Sequence, residues 1–168
     1  MVRYISARPH TLQQATKWVA WALVLNLLWE VAQLSLYSFA ATVGPLGIAW
    51  DVIHCTAGDV GISLLCFGAA ALAARDFTWP IHRPWLGLAV ALAVGLVWTA
   101  HSEWQNVYVR GAWAYAPSMP TISGIGLLPL LQWFLLPPLV LIMVRRWDHA
   151  DASGNKRQIW IAPRRTRR

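Results

Sequence analysis

Charged side chains are scarce in this 168-residue sequence: 12% of residues carry charge against 57% that are hydrophobic, and only seven are acidic. A soluble domain is ordinarily about 25% charged, so this composition excludes a soluble fold and leaves too little chain for a separate soluble domain. Cysteine is nearly absent as well. Cys55 and Cys66 lie eleven residues apart on one predicted helix, about 16 Å along its axis at ~1.5 Å per residue. A disulfide needs Cα atoms within roughly 7 Å, so the two cannot bridge each other. Each reads as a small buried hydrophobe, with metal ligation as the alternative for Cys55. The formal charge of +7 is no nucleic-acid signal, because eight of the fourteen Lys and Arg stand at or after Arg145. The excess belongs to a tail.

Twelve Trp and ten Pro fit a membrane protein, since Trp gathers at membrane interfaces and Pro is tolerated in spanning helices. Four apolar runs are long enough to cross a bilayer. The first extends from Trp18 to about Ala41; it is too long for a signal-peptide core and contains Glu30, so it is expected to be retained. Thr42 to Gly47, with Gly44-Pro45, turns the chain back, and a second helix is expected from about Ile48 to Ala74. A charged loop with two prolines, Arg75 to Pro84, precedes a third helix from near Trp85 towards Asn106. The fourth covers roughly Gly124 to Val144, where Pro129 and Pro137-Pro138 predict a kink. The expected fold is therefore all-α, an integral membrane four-helix bundle. Residues 1–17 form an amino-terminal segment, 18–146 the transmembrane domain and 147–168 a basic tail.

The placement of Lys and Arg predicts orientation. The amino end contributes three, the 75–84 loop two and the carboxyl end eight, while Arg110 alone falls on the other side. Both termini are expected in the cytoplasm, which puts the long connection between helices 3 and 4 in the periplasm of a bacterium. Ile159-Trp160-Ile161 followed by Arg164, Arg165, Arg167 and Arg168 suits contact with anionic lipid; a flexible tail is the alternative. Gly87, Ala91 and Gly95, spaced by four, form a small-residue ridge for close helix approach, either within the chain or to a second copy or membrane-complex partner.

Polar residues inside the spans converge. Asn26, Glu30, Gln33 and Tyr37 share one stripe at offsets of four, seven and eleven. Asp51, His54 or Cys55, Gly58 and Asp59 share another. Counting from the helix ends puts Glu30 and Asp59 about 15 Å below the outer surface, with Gln33, His54 and Gln132 roughly 10 Å down. Asp51, His101 and Glu103 fall near the mouth. Ionisable groups at membrane depth are costly and by default mark a functional site. Two carboxyls at one depth cannot easily both ionise, so Glu30 and Asp59 are expected to share a proton, pair with His54 or ligate a cation.

Three chemistries fit these residue types. His54, Asp59, His101 and Glu103 supply the nitrogen and oxygen donors of a divalent transition-metal site. Asp51-x-x-His54 resembles half of the carboxylate-x-x-His signature of dimetal bundles, which carry it twice. Alternatively Glu30, His54 and Asp59 act as acid and base on a small lipophilic ligand. Asn26, Gln33, Trp104, Trp113, Tyr115 and Gln132 would then contact that ligand, Trp113 and Tyr115 from an aromatic lid over 107–123. The amides also suit plain hydrogen bonding between helices. The third chemistry is a proton- or cation-coupled carrier, and a non-catalytic subunit or assembly factor stands outside all three.

At Asn26-Leu-Leu-Trp29-Glu30-Val-Ala-Gln33-Leu-Ser-Leu-Tyr37, His54-Cys55-Thr56-Ala57-Gly58-Asp59, Glu103-Trp104 and Gly111-Ala112-Trp113-Ala114-Tyr115 the chain resembles a group of short, uncharacterised bacterial inner-membrane proteins. That resemblance implies location and fold, and brings no activity or cofactor. In plan only, acids and His in a small bundle also resemble the membrane isomerase-like sterol-binding proteins, a likeness of architecture that transfers no function.

Overall fold

The computed structural model describes the backbone of residues 7–161 and the side chains of residues 12–40 and 42–151. The side chains expected to rest on lipid, from Ile159 to Arg168, and the amino-terminal Arg3 and Arg8 lie outside the described ones. The protein is all-helical, and four helices are long and apolar enough to cross a membrane. These are α1 (Ala7–Gln33), α2 (Pro45–Ala74), α4 (Pro84–Trp104) and α5 (Leu127–Ile161), with a single turn, α3 (Trp79–His82), between α2 and α4. Packing runs α1 to α2, α2 to α4, α4 to α5 and α5 back to α1, a closed ring of four.

Boundaries differ from expectation at several points. The first helix starts at Ala7, well before Trp18, and ends at Gln33, giving way to 3₁₀ turns over Leu34–Leu36 and Ser38–Ala41. Helix α5 continues past Val144 to Ile161 as one segment, through Pro137 and Pro138. The tail from 147 to 161 is therefore a helical extension of the fourth span. Helix α2 begins with Pro45 in its first turn, where a missing N–H costs nothing, and stops at Arg75 in the left-handed conformation (φ 52°). The Asp76 amide then closes on the Ala71 carbonyl at 3.0 Å, satisfying one of the orphan carbonyls of the last turn.

Two apolar clusters hold the half of the bundle nearest the 75–83 connection. Trp79 is fully buried at the centre of the first, edge-on to Trp18 at 5.2 Å and tilted against Phe67 at 5.7 Å. Gly87 makes room for it: a Cβ there would stand 1.9 Å from the Trp79 ring. Higher up, Trp133 packs with Cys66 and Ala91 and sits on Gly95, where a Cβ would come within 2.5 Å. The Gly87, Ala91, Gly95 ridge is thus filled by Trp79 and Trp133 of the same chain. Both cysteines are free.

The connection from 105 to 126 is ordered. A π-helical turn, Gln105–Val109, ends α4, and the Arg110 amide reaches the Gln105 carbonyl at 2.8 Å. The chain then crosses the top of α1 as an antiparallel bridge between Tyr37 and Tyr115, with Ser38 N to Ala114 O and Ala116 N to Leu36 O both 2.9 Å. A two-residue hairpin, β1 (Thr121–Ile122) and β2 (Ile125–Gly126), leads into α5. Its turn, Ser123 (φ 52°) and Gly124 (φ 82°), has the two positive φ values that a right-twisted hairpin requires.

Candidate functional site

Helical spacing puts Asn26, Glu30 and Gln33 on one face of α1, and that face meets α5. The Gln132 side-chain nitrogen donates to Asn26 Oδ1 at 2.9 Å and to Asp59 Oδ2 at 2.8 Å. Glu30 Oε1 lies 3.5 Å from the same nitrogen. An amide nitrogen has two hydrogens, so Asn26 and Asp59 take them and Glu30 sits at the edge of reach. Glu30 is held instead by Gln33, whose nitrogen donates at 2.7 Å while its oxygen accepts from the Trp29 indole at 3.0 Å. Glu30 Oε1 and Asp59 Oδ2 thus share one neighbouring nitrogen, 3.5 and 2.8 Å away, which brings the two carboxyls close together. Two carboxyls brought together in low-dielectric surroundings do not readily both ionise.

Glu103, on α4, is a separate buried acid. It accepts from the Tyr115 hydroxyl at 2.6 Å, and that hydroxyl accepts in turn from the Gly126 amide at 2.9 Å. The Trp113 N–H leans toward the same carboxyl without completing a well-formed hydrogen bond. Burial pushes the Tyr115 phenol above its ordinary value, and the bond to Glu103 adds to the shift. Tyr37 is raised by burial, then by the negative charge of Glu103 and Glu30. Both phenols therefore stay protonated in any physiological medium.

These groups surround a cavity of about 520 Å³. Glu30 and Gln33 line it from α1, Asp51, His54, Cys55 and Asp59 from α2, and Glu103 from α4. Trp113 and Arg110 flank its outer end, while Pro129, Gln132 and Trp133 form the wall contributed by α5. Along α2 and α4 the lining residues His54, Gly58, Gly61 and Leu65 on one helix and Trp98 on the other remain exposed. At Gly58 and Gly61 nothing lies within 4 Å of an added Cβ. No family model, curated protein or solved structure matches the chain. The site has to be read from its own geometry.

Of the expected catalytic residues, Glu30 and Asp59 meet, whereas His54 stands at the rim with its ring stacked at 6.1 Å on Trp50 and bonds neither acid. Of the expected ligand contacts, Gln33, Trp113 and Gln132 line the cavity, Asn26 buttresses Gln132 from behind, and Tyr115 supports Glu103. Trp104 is exposed and outside the lining, as is His101 beside it. Helix α4 runs on through Trp104, so residues 99, 103 and 106 face inward and 101 and 104 are turned away. The donors His54, Asp59, His101 and Glu103 accordingly do not gather: among the described residues no three His, Cys, Asp or Glu side chains are placed to hold a metal ion.

Residues not singled out from sequence complete the wall. Thr99 is 5% exposed and its hydroxyl has no partner, although a helical threonine ordinarily bonds the carbonyl four residues back. Trp133 is the floor. Neither stands out by type or spacing in a run as apolar as theirs.

Proposed function

We propose that the chain is an inner-membrane protein whose polar cavity faces the non-cytoplasmic side and binds a small lipophilic ligand. In this reading the hydrocarbon part enters from the bilayer between α2 and α4, and the polar part meets the Glu30–Asp59 pair. The observation that carries it is one cavity combining two neighbouring carboxyls with aromatic walls and exposed lining residues along α2 and α4. Pockets of this size that hold a few convergent polar groups among apolar walls are the usual form of a ligand site. The described basic residues support this orientation: Lys17, Arg75, Arg83, Arg145 and Arg146 belong to the end of the bundle opposite the cavity mouth, and Arg110 accompanies the mouth.

Acid–base chemistry is the activity this arrangement is equipped for. A proton of the Glu30–Asp59 pair, oriented by Gln132 and Gln33, is available at the buried end of the cavity, and a general acid needs to stand within hydrogen-bond reach of the group it protonates. A metal centre draws less support, because His101 points away and His54 stays at the rim.

The test is purification of the full chain in mild detergent, followed by mass spectrometry of bound lipophilic compounds. Wild type should carry a species that Asp59→Asn, Glu30→Gln and Gly61→Leu each reduce at least about fivefold, the last by narrowing the entry between α2 and α4. Identical profiles in all four proteins would refute the reading.

A further inference from the structure

The charges around the cavity do not balance. Its wall carries four carboxyls: Glu30 from α1, Asp51 and Asp59 from α2, and Glu103 from α4. The only bases among the lining residues are His54 at the rim and Arg110, which is exposed at the outer end. Helix α5 contributes no titratable group to the wall, only the Gln132 amide, and the other titratable lining residues are Cys55 and Tyr37. The deep part thus holds the two acids Glu30 and Asp59 and no fixed cation among its lining residues, a situation that low-dielectric surroundings tolerate only when protons or bound cations supply the missing charge.

The remaining wall selects among cations. Trp98, Trp113, Trp133 and Tyr37 present aromatic surface, and ring faces attract ammonium-type cations while offering nothing to a hydrated metal ion. Three inner-sphere donors are not assembled among the described residues. The Thr99 hydroxyl, buried on this wall and unpartnered, is a polar atom still lacking the group it would bond. An anionic ligand would face four carboxyls across a narrow space.

We propose that the ligand is a lipophilic organic cation, an amine or quaternary onium ion with a hydrocarbon body, bound beside Glu30 and Asp59 in exchange for one proton of that pair. The inference rests on the ligand-pocket reading above and gives that ligand its chemical class. No covalent bond changes: the cation enters from the bilayer side, and one proton leaves the carboxyl pair through the mouth to solvent. The aromatic walls hold the organic part, and the released carboxylate supplies the counter-charge. Because a proton is given up, affinity increases with pH for as long as the pair keeps its proton.

The experiment uses the purified full chain in an uncharged detergent and three probes of similar shape: tetraphenylphosphonium, neutral triphenylphosphine oxide and anionic tetraphenylborate. Equilibrium dialysis should show the phosphonium bound at least about tenfold more tightly than the neutral probe, and the borate not bound. Its affinity should rise towards a limit of about tenfold per pH unit, the slope for one proton. Calorimetry in two buffers of different ionisation heat should count close to one proton released. Asp59→Asn and Glu30→Gln should each flatten the pH slope. The comparison of probes and the slope are both read on wild type, so a variant that fails to fold does not remove the test. Equal binding of the neutral probe, preference for the borate or a pH-independent affinity would overturn the cation assignment and leave a lipophilic pocket standing. No binding of any probe would overturn the pocket reading with it.

Discussion

Gln132 is the residue on which the carboxyl pair turns. Its one nitrogen serves Asn26 on α1 and Asp59 on α2, tying three helices at a single atom. Gln132→Leu keeps the volume but leaves both acceptors unpaired in a buried place, which costs ~1–3 kcal/mol; thermal unfolding in detergent should show a clear fall in Tm. The stripe of Asn26, Glu30 and Gln33 is legible in the sequence because polar residues are rare in a spanning helix and their spacing fixes a face. His101 illustrates the limit. Whether it joins Glu103 depends on where α4 ends, and nothing in the local composition announces that the helix persists to Trp104 and finishes in a π turn. A different residue is sensitive to acid. Burial alone would raise Asp76, but hydrogen bonds from the Thr78 hydroxyl and amide, then from His82, outweigh it and hold the carboxyl below its ordinary value. A lowered folded-state value stabilises above the unfolded carboxylate range, around pH 4, and that contribution disappears as pH falls through the lower folded value. Amide exchange at Thr78 should therefore accelerate below about pH 4, and Asp76→Asn should abolish that dependence.

At the level of elements, the glycines of α2 and α4 have opposite functions. Gly87 and Gly95 admit the rings of Trp79 and Trp133, whereas Gly58 and Gly61 border open space. Gly87→Ala and Gly95→Ala should each destabilise by ~1–3 kcal/mol through overpacking. Gly58→Ala should be neutral or stabilise by up to ~1 kcal/mol, since it removes only the entropic cost of glycine in a helix; parallel melting curves of the variants would decide. From sequence the ridge of small residues was visible as a surface for close approach, but its occupant was not, because Trp79 stands in a charged, proline-rich connection that reads as a loop. The long connection was likewise legible as aromatic and unreadable in shape: its order comes from the Tyr37–Tyr115 bridge, a pairing between segments far apart in the chain.

Over the whole molecule, polarity is divided between the two ends of the bundle. The cavity end gathers unpaired acids, while the opposite end pairs its charges: Lys17, 4% exposed, meets Asp148 at 2.8 Å and Asp151 at 2.6 Å, with its ammonium over the Trp147 ring. Gln14 adds two bonds to Asp148, and Arg145 caps the Pro80 carbonyl at 2.8 Å. This clasp joins α1 to the extension of α5. Lys17→Met should cost ~1–3 kcal/mol, below the range for fully buried pairs because both aspartates are partly exposed. Ligand binding at the far end should be unaffected by it. The central claim, a chamber open on the non-cytoplasmic side, is tested most directly through the two native cysteines. Cys55 lines the cavity and Cys66 is sealed under Trp133. Intact spheroplasts are treated with a small membrane-impermeant thiol reagent, and modification is read by mass spectrometry. The account predicts labelling of Cys55 from outside, none of Cys66, and protection of Cys55 by a bound ligand; labelling of Cys55 only after the cytoplasmic side is exposed would contradict it.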